Sequence, residues 1–215
     1  MGVIDGNPVQ DDIREIARTS GVTFSIDVTL NRDQDITAVF AGELFAEHNQ
    51  ACTFSKKSVM CPVDSPFDVV LTTNSGYPLD QNLYQAVKGM SAAAKVIKPG
   101  GTIVRAAECR DGLPNHGSYG EVLAARPTPA ALLEMINASG FSRPDAWQVQ
   151  VQAQILMKSK VLVKNGFMTD HEIRAAHFEP VHDVGEAVSA ALNAAGPAAT
   201  LCVLPQGPQT IPYLI

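Results

Sequence analysis

The 215 residues, 46% of them apolar and 18% charged, suffice for one substantial core or a core with an appendage. A formal charge of −6, from 16 basic and 22 acidic residues, offers no cationic surface for gathering phosphates, which argues against nucleic acid and anionic membranes as partners. An aromatic content of 6% within an Ala/Gly/Val-rich texture does not suit a disulfide scaffold, a coiled coil or a disordered tail.

No run approaches the roughly 18 apolar residues needed to span a bilayer. The opening Met-Gly-Val-Ile-Asp-Gly-Asn-Pro has neither the basic start nor the apolar stretch of a signal peptide, so a cytoplasmic location is expected. Cys52, Cys61, Cys109 and Cys202 are scattered. Cys109 and Cys202 lie in or beside strand-like segments, where reduced, inert thiols are the ordinary finding.

In chain order, Asn7-Pro8 opens a helix, because an Asn side chain accepts from free N–H groups and proline needs no partner at the first helical position. Asp11 and Asp12 suit its positive first turn, and Gly21 stops it after Ser20. From Val22 to Leu30, the alternation of Phe24, Ile26, Val28 and Leu30 predicts a half-buried strand. The polar Asn31-Arg32-Asp33-Gln34 and a second alternating run, Ile36, Ala38 and Phe40 up to Gly42, complete a hairpin. A helix over 43–58 is expected to pack on it through Phe45, Ala46, Asn49 and Thr53.

From Phe67 onward, the four runs Phe67–Thr73, Gly101–Ala107, Lys160–Lys164 and Ala199–Leu204 alternate with helical segments, which implies crossover connections and a parallel sheet. The strongest helix spans Asp80 to Lys98, with Leu83, Val87, Met90, Ala94 and Ile97 on one stripe and Pro99-Gly100-Gly101 ending it. The expected fold is a three-layer α/β domain with a mainly parallel sheet of about four strands, preceded by a helix and hairpin unit. A seam near Cys61–Pro66 gives a division into residues 1–63 and 64–215.

Two loops lie where parallel sheets take ligands, beyond the carboxyl ends of the strands. Asn74–Asp80 opens the long helix, and its N–H groups could receive an anion such as a carboxylate. On that helix Gln81, Gln85 and Lys88 fall at i, i+4 and i+7 with Tyr84 beside them, so a cation and hydrogen-bonding groups share a face suited to a small hydroxy acid. The same pattern is also that of a solvated helix face. The second loop, Glu108–Ser118, carries Arg110 and His116; Asp80, Gln81 and His116 are further candidates. Trp147 either anchors a core or walls a pocket. His48, His171, His177 and His182 lack metal-ligand spacing, and no nickel or zinc site is expected within the chain.

These segments resemble, through nearly the whole chain, the C-terminal half of the nickel-pincer-nucleotide-dependent lactate racemase family. The resemblance is carried by Gly6-Asn7-Pro8-Val9, Val39-Phe40-Ala41-Gly42, Trp147-Gln148, Val203-Leu204-Pro205, Ile211-Pro212 and above all Gly76-Tyr77-Pro78 leading into Tyr84-Gln85-x-x-Lys88. It implies a nickel ion in a pincer nucleotide that takes a hydride from the hydroxyl-bearing carbon of a 2-hydroxy acid and returns it to either face. It also implies substrate-lining roles for Tyr84, Gln85, Lys88 and Trp147. The family's catalytic histidines and cofactor-bearing lysine belong to an N-terminal domain that would precede Met1. The expectation is therefore a substrate-facing C-terminal domain of a longer isomerase with no catalytic residue of its own, inactive alone. Its cofactor would be carried by the missing N-terminal domain, supplied in cis or in trans, and its newly uncovered apolar surface would promote self-association. The alternative is a non-catalytic ligand- or partner-binding module of the same fold.

Overall fold

The computed structural model describes residues 2–114 and 116–215. The chain divides into two compact units, Met1–Cys61 and Pro62–Ile215. Among the described residues no helix is long and apolar enough to cross a membrane, and all four cysteines are free.

In the first unit α1 (Pro8–Ser20) begins where expected. The Asn7 side chain accepts from the Val9 N–H at 3.2 Å, and Gly21 ends the helix in the left-handed region at φ 71°. The hairpin pairs β1 (Ser25–Leu30) with β2 (Ile36–Gly42) antiparallel, and α2 (Leu44–Val59) follows, capped by the Glu43 carboxylate. Two expectations are corrected. The first strand starts at Ser25, not Val22, and its apolar alternates Phe24, Ile26, Val28 and Leu30 are exposed instead of half-buried. The reason is which face α2 covers: Phe54 meets Phe40 at 5.6 Å between ring centroids, on the face opposite those residues. Phe45 and Asn49, expected against the hairpin, instead face α1, where Arg18 lies over the Phe45 ring and Arg14 donates to Asn49.

The strand β3 (Met60–Val63) pairs with the carboxyl-terminal β9 (Ile211–Leu214). Between them runs the α/β unit. In order, it comprises β4 (Phe67–Thr73), α3 (Leu83–Val96), β5 (Ile97–Ala106), α4 (Tyr119–Ala124), α5 (Pro129–Asn137), α6 (Ala146–Lys158), β6 (Lys160–Lys164), α7 (Asp170–Ala175), β7 (Glu179–Pro180), α8 (Val184–Ala195) and β8 (Leu201–Leu204). The sheet order is β7-β6-β5-β4-β8 and every pairing is parallel. Alternation along its strands separates two faces. Val70, Ile103, Val161 and Val163 pack with the α3, α4, α5 and α6 residues in the main core. Val69, Val104 and Leu162 meet α8 through Ala187, Val184 and Val188 in a smaller one. This is the expected three-layer α/β arrangement, with a fifth strand because the two residues of β7 extend the edge beside β6.

The long helix is shorter than its periodicity predicts. It starts at Leu83 because the Asn82 side chain, not Asp80, accepts from the Gln85 N–H at 3.0 Å, and it ends at Val96, where Ile97 passes directly into β5. Asp80 and Gln81 therefore lie in the loop before it, and Lys98 to Gly101 belong to the strand after it.

Candidate functional site

Asn74, fully buried at the end of β4, fixes the position of α3. Its Oδ1 accepts from the Gly89 N–H at 2.8 Å, and its amide donates to the Gln85 carbonyl at 3.1 Å and to the Leu79 carbonyl. With the buried stripe Leu83, Val87 and Met90 committed to the core, the helix turns Lys88 out to solvent and leaves Gln85 half-buried, while the Tyr84 ring packs against the edge of the core. The Lys88 ammonium donates to Gln85 Oε1 at 2.6 Å and is exposed, while Tyr84 and Gln85 are half-buried. Gln85 uses its carbonyl oxygen on Lys88, so its amide N–H groups are the donors it can offer a ligand.

Trp147, near the start of α6, stands edge-on to Tyr84 at 5.9 Å between centroids, and Tyr119 stands edge-on at 5.4 Å. The indole is 54% exposed, so it is not a core anchor. Gln148, buried beside it, donates to the Tyr84 carbonyl at 2.6 Å and so ties the two helices at the patch. The Tyr84 phenol is pushed above its ordinary range, chiefly by burial and then by the negative charge and hydrogen bond of Asp145. It is therefore held as a neutral donor.

Asp145 was not visible to sequence reasoning as a site residue. It sits just ahead of α6 at φ 62°, accepts from the Ser118 N–H at 3.1 Å and receives the Tyr84 hydroxyl. Gly117 makes room for it, since a Cβ there would lie 1.9 Å from its Oδ2, with φ at +71°. The only signal in sequence was an acidic residue at the start of the helix that carries Trp147.

Beneath the aromatic patch, the buried Tyr119 hydroxyl donates to Gln152, whose amide donates to the Ala176 carbonyl at 2.7 Å. Burial pushes the Tyr119 phenol far up. Arg105 is fully buried beside it, with Nη1 on Cys109 Sγ at 3.5 Å and no partner for Nε or Nη2 among the described residues.

The remaining candidates do not join this patch. Asp80 is buried, and its Oδ2 accepts from the Glu108 N–H at 2.9 Å while its carbonyl accepts from the Cys109 N–H at 3.0 Å. Gln81 lies off the helix, against expectation, with its side chain on Asp111 at 2.5 Å. The Leu83 N–H donates to the Gly112 carbonyl at 2.9 Å. Of the loop N–H groups expected to receive an anion, those of Ser75 and Asp80 are spent close by, on the Thr73 hydroxyl and the Gly76 carbonyl, while the Leu83 N–H joins the helix start to loop 108–112. Arg110 pairs with Glu108, and His116 is exposed on the loop. A cavity of about 420 Å³ opens at the carboxyl ends of β4, β5 and β6, between Thr73, Asp80, Glu108 and Lys164. Tyr84, Gln85, Lys88 and Trp147 are not among its lining residues.

A polar triad on one helix walled by an exposed tryptophan can bind a small anion that also carries an apolar group and hydrogen-bonding oxygens. A sequence model of the family described as "Lactate racemase C-terminal domain" matches residues 63–211. The chain is 36% identical over 203 residues to the lactate racemase of Lactiplantibacillus plantarum, spanning 94% of this chain and 47% of the relative. It is 33% identical over 213 residues to that of Thermoanaerobacterium thermosaccharolyticum, spanning 98% and 49%. The solved lactate racemase apoprotein of the latter organism superimposes with a TM-score of 0.90 at 31% identity, over 98% of this chain and 51% of that one. A Thermotoga maritima protein shares the fold alone, with a TM-score of 0.63 at 12% identity. The chain spans about half the length of the curated relatives it matches, and it belongs to the lactate racemase C-terminal domain family.

Proposed function

We propose that this chain forms the substrate-facing half of a 2-hydroxy-acid racemase or epimerase of lactate type, an isomerase that works in the cytoplasm. The observation that carries the proposal is the convergence of Lys88, Gln85, Tyr84 and Trp147 on one exposed patch. The Lys88 ammonium neutralises the substrate carboxylate, the Gln85 amide donates to its oxygens, the Tyr84 oxygen, whose proton goes to Asp145, accepts from its hydroxyl group, and the indole covers its apolar side. Burial, and then the charge of Asp145, keep Tyr84 neutral.

The family's chemistry runs through a nickel-pincer nucleotide. Among the described residues no cluster of three or more His, Cys, Asp or Glu side chains could hold a metal ion. In this reading the cofactor and the proton-moving groups belong to the amino-terminal half that the relatives' doubled length leaves outside the match.

The test is Lys88→Ala in the enzyme reconstituted from both halves, with lactate racemisation followed by chiral separation. Loss of a charge-assisted contact of about 1.5–3 kcal/mol raises the KM for lactate by roughly 10- to 100-fold. An unchanged KM and kcat would mean that Lys88 does not hold the carboxylate.

A further inference from the structure

Arg105 stands on β5, the central strand of the five, beside Thr72 of β4 and Val163 of β6, and all three are fully buried. A guanidinium keeps its positive charge when buried, and a buried charge is costly unless it is paired and hydrogen-bonded. Among the described residues Arg105 takes part in no ion pair, and the acceptor it reaches is Cys109 Sγ, at 3.5 Å from Nη1. Nε and Nη2 are both buried without a partner. These two nitrogens share one edge of the planar group, where two parallel N–H bonds grip an acceptor together. The neighbouring side chains do not supply that acceptor. Burial holds the Tyr119 phenol neutral, and its hydroxyl donates to Gln152 Oε1. Gln152 donates in turn to the Ala176 carbonyl at 2.7 Å, and the Thr72 hydroxyl donates to the Gly89 carbonyl at 3.2 Å. The Cys109 thiol is a weak acceptor. Asp80, which holds the same loop, gives Oδ2 to the Glu108 N–H and leaves Oδ1 buried without a partner, so it does not neutralise Arg105 by contact.

We propose that the edge of Arg105 formed by Nε and Nη2 binds a halide ion, ordinarily chloride, inside the α/β unit, where β5, α4 and the loop after Ala106 meet. One negative charge balances the guanidinium, and a spherical ion accepts from both N–H groups while asking for no further donor. A carboxylate or phosphate would bring additional oxygens to a place where the hydroxyl and amide groups at hand are already engaged. A halide also fills little more space than a single buried water. The site is distinct from the exposed Lys88 and does not depend on the reading of that patch. The two are neighbours, since Tyr119 lies beside Arg105 and stands edge-on to Tyr84 at 5.4 Å, so the ion sets the charge beneath the aromatic patch.

The experiment uses the 215-residue chain. Crystals in sodium bromide are measured at the bromine absorption edge, and urea unfolding is followed at constant ionic strength while chloride replaces methanesulfonate. The expected result is an anomalous peak within hydrogen-bond distance of Arg105 Nε and Nη2, and an unfolding equilibrium constant that falls about tenfold for each tenfold rise in chloride above its Kd. Arg105→Met, which fills the volume with an uncharged side chain, loses the chloride dependence, and Asp80→Asn keeps it. Should Arg105→Met fail to fold, Arg105→Lys, which keeps the charge but not the parallel N–H pair, carries the comparison with a weakened dependence. The bromide map needs no variant. The proposal is overturned by a water or the Asp80 carboxylate on that edge in place of bromide, or by a chloride dependence equal in the unsubstituted chain and Arg105→Met. A peak with no chloride dependence of unfolding means binding at crystal concentration only, and overturns it as well.

Discussion

Asp145 acts on Tyr84 from the loop that leads into a different helix, α6. The phenol is half-buried among Tyr119, Trp147 and α3, which disfavours its ionised form, and the carboxylate that receives its hydroxyl disfavours it further. Replacing Asp145 by Asn removes the charge but keeps an acceptor, so the Tyr84 titration shifts downward while burial still holds it above the ordinary phenol range. Absorbance titration of tyrosinate, taken as the difference from Tyr84→Phe, measures this; an unshifted curve would show that Asp145 is not coupled to the phenol. In the reconstituted enzyme the same variant disturbs the orientation of Tyr84 more than the charge at Lys88. At this scale, the Tyr84-Gln85-x-x-Lys88 spacing was legible because helical periodicity alone places the three on adjoining turns. Asp145 was not, since its part depends on a loop conformation at φ 62° and on the missing side chain at Gly117.

At the scale of elements, the patch depends on how closely α3 lies on the end of β4. Gly89 is the contact point: a Cβ there would come within 2.4 Å of the Thr73 carbonyl oxygen, and Gly207 approaches so nearly that its own Cβ would lie 3.0 Å from the Gly89 Cα. Thr72 donates to the Gly89 carbonyl at 3.2 Å and Asn74 accepts from its N–H, so the helix is pinned on both sides of the glycine. Gly89→Ala forces the helix off the strand and should cost about 1–3 kcal/mol of stability, as overpacking does. Urea unfolding measures this, and an unchanged midpoint would mean that the contact relaxes freely. Because Gln85 and Lys88 lie within a turn of Gly89, the same displacement moves the two proposed ligand-binding groups with their charges intact. The sequence showed the helix and its buried stripe. It misplaced the start by three residues, because Asp80 and Asn82 are both good caps and only the packing of loop 108–112 decides between them.

For the molecule as a whole, Asp68 joins β4 to both its neighbours, β5 and β8, at the amino ends of the sheet. Its oxygens each accept from the Lys98 ammonium at 2.8 Å, and Oδ2 also accepts from the Thr200 N–H and hydroxyl at 2.9 Å. These donors, Lys98 first, lower its pKa from the ordinary 3.8 to about 2. A carboxyl depressed on folding contributes stability above its unfolded pKa and loses that contribution as the pH falls through the folded one. The chain should therefore lose stability between pH 3.8 and about 2, and Asp68→Asn should flatten that part of the profile. Urea midpoints across this range at low salt, where the partly exposed pair is least screened, make the comparison; parallel profiles would remove Asp68 from the account.

The sequence by itself determined the kinds of elements and their order, the parallel sheet and the helix face that carries Lys88, because these follow from local periodicity, caps and the alternation of strand with helix. The tertiary structure alone decided which side of an element is covered. Phe24, Ile26, Val28 and Leu30 read as the buried side of a strand, yet α2 lies on the other side and leaves them exposed. An alternating pattern states that one face of a strand is apolar, but what lies against that face is fixed by other parts of a chain, and by other chains.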